Sequence, residues 1–146
     1  MRQNIQIIAI LLMTNLSSIA LAQAQTPSQV PKPDAQGDYY SNVAPIKGTV
    51  PPGNSLMVGS LWQVVSQKLN CRRQPSLQAP VVRRFRTGNI LQAEVFRGGS
   101  DEVLINAKDA AGKPWMWVRA ATFKLEDACY VRANDRYIKP VTKPLR

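Results

Sequence analysis

From Leu61 onward, apolar residues recur at every second position in short runs separated by turn signals, and this cadence most restricts what the chain can fold into. The runs are LWQVVSQ, KLNCRR, VVRRF, ILQAEVF, EVLINAK, PWMWVRA, CYVRA and YIKPV, and the breaks between them carry QPSLQAP, RTGN, RGGSD, DAAGK and NDR. Two-residue alternation is the period of a strand with one face buried, and turns at this spacing point to a sandwich or barrel. No stretch shows the 3.6-residue period of an amphipathic helix, and TFKLEDA reads as a loop or short helical turn. The alternation predicts faces as well as strands. Leu69 and Cys71 fall on one side with Asn70 and Arg72 on the other; Leu91, Ala93 and Val95 point inward and Gln92, Glu94 and Phe96 outward.

A barrel of about 80 residues buries little apolar surface, and domains of that size commonly need a staple. The chain has two cysteines, Cys71 and Cys129, and no histidine. Two thiols alone do not make a structural zinc site. In an oxidising compartment they allow a single disulfide; in a reducing one they are free buried thiols. If Cys71 points inward from an early strand and Cys129 from a late one, a bridge between them fixes the closure of the barrel.

The N-terminus bears on the compartment. Arg2 is followed by the apolar run Ile7 to Met13 and by small residues through Ala22 and Ala24, the layout of a secretory signal. The apolar run is broken by Thr14, Asn15, Ser17 and Ser18, and is short of the ~20 residues that a membrane span requires. Residues 1–24 are therefore expected to be a signal peptide, with the membrane not spanned after cleavage and the mature protein in the periplasm or outside the cell. Residues 25–60 hold Pro27, Pro31, Pro33, Pro45, Pro51 and Pro52 without a sustained apolar period, and read as a flexible, mostly disordered Pro/Gly-rich linker. Tyr39 and Tyr40 could dock on the domain, but the linker reading places them in solvent. The domain proper is expected over 61–146.

Charge is concentrated in that domain. The chain carries a net +10; from Leu61 onward 16 Lys/Arg face 7 Asp/Glu, while residues 25–60 are neutral. A basic surface favours anionic partners. The clusters Arg72–Arg73 and Arg83, Arg84 and Arg86 could hold carboxylates or phosphates, or simply form a solvated strand edge that resists edge-to-edge pairing. No glycine-rich phosphate loop is present. The missing histidine excludes Cys–His and Ser–His–Asp machinery. Only the adjacent pairs Asp101–Glu102 and Glu126–Asp127, both in loop-like stretches, remain as simple acid–base candidates. We expect no catalytic residues, metal or cofactor.

Four segments together resemble the bacterial SH3 (SH3b) family. LNCRRQPS is similar to the family's opening Leu-Asn-Val-Arg-x-x-Pro-Ser, with Cys71 in the valine position. PVVRRFRTGNIL resembles Pro-Val-x-x-x-Leu-x-x-Gly through Phe85 and Gly88. GKPWMWVR resembles a Gly-Trp-x-x-Val strand through Trp115 and Val118. CYVRANDRYIKPV resembles the closing Gly-Trp-Val-x-x-x-Tyr-Leu, with Tyr130 and Tyr137 in the aromatic positions; a second register would place Trp117–Val118 there. The resemblance covers roughly 61–141. It implies an all-β, small SH3-like barrel of 5–7 short strands and a non-catalytic exported module that binds cell-wall peptidoglycan or an envelope protein. Cys129 and Tyr130 depart from the family's glycine and tryptophan. The alternative is a basic, OB-like barrel binding acidic polysaccharide or nucleic acid, and export argues against the latter.

Ligand-binding residues are expected where aromatics and cations share an outer face. In PWMWVRA the alternation gives Trp115, Trp117 and Arg119 one face and Met116 and Val118 the other; Tyr130 and Arg132 lie outward on the next strand, opposite Cys129 and Val131. Aromatic faces beside a cation suit peptides or sugars. The competing expectation is that one tryptophan only covers the barrel end.

Overall fold

A computed structural model describes residues 30–49, 56–96, 106–120 and 128–145. The signal-peptide reading, both acidic pairs, most of EVLINAK and most of TFKLEDA lie outside the described residues. The rest is all-β. In chain order the strands are β1 (Leu56–Met57), β2 (Leu61–Val64), β3 (Leu69–Arg72), β4 (Val81–Phe85), β5 (Ile90–Ala93), β6 (Val95–Phe96), β7 (Ala107–Lys108), β8 (Pro114–Ala120), β9 (Cys129–Arg132) and β10 (Ile138–Pro140). Ten pieces rather than five to seven arise partly because ILQAEVF divides at Glu94, where the chain passes from β5, paired with β2 and β8, to β6, paired with β1.

Eight strands form one antiparallel sheet in the order β10-β2-β5-β8-β9-β3-β4, with β7 paired to β8; β1 and β6 pair separately. The connection between β4 and β5 shows that the sheet rolls. They are four strand steps apart in that order, which in a flat sheet is about 19 Å. Yet only residues 86–89 join them, in a turn in which Asn89 N–H donates to Arg86 O (3.0 Å) and whose ends lie within about 7 Å. Gly88 has φ 89°, the left-handed value that the third position of a type II turn demands. The rolled sheet encloses one apolar core: Trp62 and Val64 from β2, Leu69 and Cys71 from β3, Leu91 and Ala93 from β5, Met116 and Val118 from β8, Cys129 and Val131 from β9, with Phe85 and Ile138. Leu69, Cys71, Leu91, Ala93, Met116, Val118, Cys129 and Val131 are on the side that the two-residue alternation selects.

Cys71 and Cys129 form a disulfide with Cα atoms 5.5 Å apart, both sulfurs in the core. Its position is informative. The β2–β5, β5–β8 and β8–β9 ladders carry three or four registered pairs each, whereas β3 and β9 share one, Arg72 with Tyr130. The bridge therefore crosses the thinnest seam of the sheet and ties the β3–β4 hairpin to the remaining strands.

The linker expectation fails for the described part of 25–60, because residues 34–49 wrap the barrel as a hydrogen-bonded strap. The Asp34 carboxylate accepts from the N–H groups of Gln36 (2.9 Å) and Asp38 (2.8 Å), starting a turn that needs Gly37 at φ 82°. A Cβ on Gly37 would also meet Asp135 Oδ1 at 2.3 Å. Tyr39 is not solvated: it is 4% exposed, joins the core, and meets Trp62 edge-on with centroids 5.1 Å apart. Its N–H donates to Ala133 O (2.8 Å) and its carbonyl accepts from Asn106 Nδ2 (2.8 Å). Tyr40 stays exposed under the Lys108 ammonium. Farther on, Ser60 Oγ and the Ala44 backbone exchange hydrogen bonds, Ile46 O accepts from Leu61 N–H (2.8 Å), and Gly48 N–H donates to Gly59 O (2.9 Å). A proline-rich stretch holds this position through these backbone hydrogen bonds and one aromatic ring packed into the core.

Two stability predictions follow from this arrangement. Replacing both cysteines by alanine (C71A/C129A) removes a cross-link spanning 58 residues and lowers unfolding free energy by about 4 kcal/mol, read from urea midpoints against the oxidised parent. A chain shortened to begin at residue 50 unfolds at lower urea than one beginning at residue 30, by at least about 3 kcal/mol, since the loss of buried Tyr39 alone has that scale; equal midpoints would show that the strap is not part of the fold.

Candidate binding face

The outer side of the barrel is divided into a sealed part and an open part. The sealed part runs across β2, β5 and β8, where register aligns Leu61, Gln92 and Arg119. The strap lies over this row. Gln92 exchanges two hydrogen bonds with the Thr49 backbone (3.1 and 3.0 Å), and Arg119 Nη2 donates to Thr49 O (2.9 Å). Gly48 admits the approach: a Cβ there would lie 1.9 Å from Gln92 Oε1. Beneath it Arg119, only 2% exposed, donates from Nε to Glu94 Oε1. Burial raises the Glu94 carboxyl above the ordinary value, and the Arg119 charge and hydrogen bond work against that rise. Gln92 and Glu94, outward on the sequence pattern, are thus buried all the same, and Arg119 belongs to an internal ion pair and does not serve as a ligand-facing cation.

The open part spans β8, β9, β3 and β4. Register sets Trp117 beside Tyr130 and Tyr130 beside Arg72; one step along, Trp115 lies beside Arg132, and Asn70 beside Arg84. Trp117 and Tyr130, both half-buried, stack with centroids 6.4 Å apart and planes 28° from parallel. Trp115 is buried, with its indole N–H donating to Asp109 Oδ2 (2.9 Å) and the Arg132 guanidinium 5.9 Å above its ring. That hydrogen bond is the foremost reason the Asp109 carboxyl lies below its usual range; its desolvation opposes this, and the N–H groups of Lys113 and Ala111 and the Arg132 charge assist. Of the five residues expected to bind ligand, the structure brings Trp115, Trp117, Tyr130 and Arg132 together and puts Arg119 elsewhere.

Arg132 is held from below. Its Nη1 donates to Pro114 O and its Nη2 to Asp38 Oδ1 (2.7 Å), and Asp38 also accepts from Asn134 Nδ2 (2.8 Å) and Lys113 Nζ (3.3 Å). Burial on its own would raise the Asp38 carboxyl, but the hydrogen bonds from Asn134, Arg132 and Lys113 outweigh it and hold the group below 3.8. The strap thereby fixes a cation of the open face: Asp38 comes from the supposed linker and Arg132 from β9.

A pocket of about 100 Å³ opens beside Arg132, with the Trp115 indole in its wall. Lys68, Asn70 and Arg72 of the β3 region line it, together with Leu77 and Tyr137. Leu77 is 62% exposed, on the 73–80 loop that Arg72 pins by donating to Ala79 O (2.6 Å). The sequence reading put Asn70 and Arg72 on the outer face and allowed the Arg72–Arg73 cluster an anion-holding role, but gave Asn70 no site and missed Lys68 and Leu77. Leu77 sits in a loop without periodicity, so no pattern could have paired it with Tyr137, 60 residues away. Among the described residues no group of three or more His, Cys, Asp or Glu side chains could hold a metal ion.

Compared with known proteins, the chain matches no family model, no curated protein sequence and no solved structure.

Asp38→Asn tests the buried anchor. Its folded carboxyl is depressed, so it contributes stability that is present above the unfolded aspartate value and is lost as pH falls through the folded one. We expect D38N to lower unfolding free energy by about 3 kcal/mol at neutral pH, the scale for breaking a buried pair. The gap to the parent should narrow as pH falls below 3.8 and close only once pH has passed the still lower folded value, where both carry an uncharged residue at this position. A gap that persists unchanged in acid would show that packing alone, and not the charge, is responsible.

Proposed function

We propose that this is an exported, non-catalytic binding module of the SH3b kind, which holds cell-wall peptidoglycan or an envelope protein on the open face of β8, β9 and β3. The observation that carries the reading is the assembly on that face of stacked Trp117 and Tyr130 beside Arg72 and the anchored Arg132, with a small pocket at their edge. A rigid aromatic pair offers flat apolar area at little cost in conformational entropy, and guanidinium groups at fixed positions give orientation to amides and carboxylates. The all-β rolled sheet is what an SH3-like barrel requires, and a buried disulfide is consistent with an exported protein. No helix of the described residues is long and apolar enough to cross a membrane.

A second reading has its own observation. Arg73, Arg84 and Arg86 are all exposed on or next to the β3–β4 hairpin, a cationic edge suited to acidic polysaccharide. The two readings differ in salt response, because binding through phosphates or sulfates by counterion release weakens steeply with salt.

Sedimentation of the oxidised full-length protein with purified peptidoglycan, at low and moderate salt, decides between them. The wall reading expects retention at both salts and at least about a tenfold loss of affinity in Trp117→Ala, the effect of removing a central aromatic contact. Release at moderate salt, with equal capture by an acidic polysaccharide and no effect of W117A, would replace it by the polyanion reading.

A further inference from the structure

The pocket beside Arg132 has features that an open aromatic face does not explain. Resting on the binding-module reading, we propose that it receives the C-terminal residue of a peptide, with the free carboxylate held by Arg72 and Lys68 and the terminal amide N–H donated to Asn70.

The charge balance comes first. Arg132 is matched by Asp38, whereas neither Arg72 nor Lys68 has a carboxylate partner among the described residues. Arg72 uses one N–H on Ala79 O, which fixes the plane of its guanidinium and leaves four of its five N–H groups for a ligand. Two uncompensated cations on the rim of one small pocket call for an anion, and a planar fork with spare donors suits a carboxylate.

The second feature selects among anions. Asn70 Oδ1 is buried and has no hydrogen-bond partner among the described residues, and a buried acceptor left unpaired is costly. A ligand that relieves it must bring a donor. Sulfate presents only acceptors to this group; phosphate and a sugar acid can donate through a hydroxyl, and pocket size and the phosphate probe separate them from a peptide end. The last residue of a peptide carries both parts on one carbon, the carboxylate for the cations and the amide N–H for Asn70. Asn70 and Arg72, two apart on one strand, face the same side and so can be bridged by one residue.

Size and lining give the third constraint. At about 100 Å³ the pocket is well below the ~300–1,000 Å³ of ordinary small-molecule sites, so it accepts a terminal residue and not a sugar unit. Leu77, Tyr137 and the Trp115 ring form its apolar side, which favours a small apolar side chain such as alanine. The remainder of the peptide would leave across Tyr130 and Trp117.

The test uses the oxidised full-length chain and two probes, N-acetyl-alanyl-alanine with a free carboxylate and the same dipeptide as its C-terminal amide. Binding is followed by NMR at the Asn70 side-chain amide and the Arg72 Nε–H. We expect the acid to bind at least about tenfold more tightly than the amide, the scale of a charge-assisted hydrogen bond. Arg72→Gln and Asn70→Ala should each lower acid binding by about tenfold, and Lys139→Gln, an exposed charge on β10, by less than about twofold. Equal binding of acid and amide would overturn the proposal, as would inorganic phosphate shifting the same signals with the same affinity. Peptidoglycan retention without discrimination between acid and amide removes this inference and leaves the wall-binding reading; discrimination without retention does the reverse.

Discussion

The barrel depends on a covalent bond placed where the sheet is weakest. Backbone ladders of three or four registered pairs join most neighbouring strands, but β3 meets β9 through a single pair. Without a cross-link the β3–β4 hairpin would be held mainly by the side chains it contributes to the core, Leu69, Cys71 and Phe85. The disulfide replaces missing ladder bonds at that seam. It acts on the unfolded chain by shortening its accessible loop, and it keeps β3 at β9 so that Arg72 and Tyr130 stay side by side. The open face is therefore a consequence of the bridge behind it, since the sulfurs lie directly on the other side of the strands that carry Asn70, Arg72, Tyr130 and Arg132.

The strap does the complementary work on the other side. It converts the outer face of β2, β5 and β8 into a second, polar interior in which Gln92 and Arg119 bond the Thr49 backbone and Arg119 pairs with Glu94. Such an arrangement is a costly one for charges, since both ions of the Arg119–Glu94 pair leave water, and Glu94 Oε2 has no partner among the described residues. What it provides is a defined path for the strap. The same segment delivers Asp38 to Arg132, so the sealed face and the open face are linked through residues 38–49. A chain that lost the strap would lose the anchor of its candidate binding cation together with the cover of its buried one.

Electrostatics divides along the same line. The acids Asp38 and Glu94 are buried and paired with Arg132, Lys113 and Arg119, so their negative charge is spent internally. Arg72, Arg73, Arg84, Arg86 and Lys68 remain at the surface around β3 and β4. This group of cations stands next to the aromatic pair, which is where an anionic end group of a ligand gains most.

Period-two alternation gave most of the strands, though not β1 in the segment read as linker or the division of β5 from β6, together with the inward residues of β3, β5, β8 and β9 and the outward set on β3, β8 and β9, because a pleated strand allows no other phase once one side is buried. Two cysteines on inward positions gave the bridge its only possible pairing, though its existence needed the fold. The alternation could not tell which outward residues meet solvent. Trp117 and Arg119 are equivalent in the pattern; one is half-exposed and the other sealed, because a proline-rich segment without periodicity of its own covers only the second. Nor could it show that Tyr39 packs into the core, that Asp38 reaches Arg132 across 94 residues, or that Leu77 and Tyr137 wall one pocket. A strand's faces are a local property of the backbone and can be read along the chain. The cover over a face, and the grouping of distant side chains into a site, arise from long-range packing and hydrogen bonds that only the closed structure brings into reach.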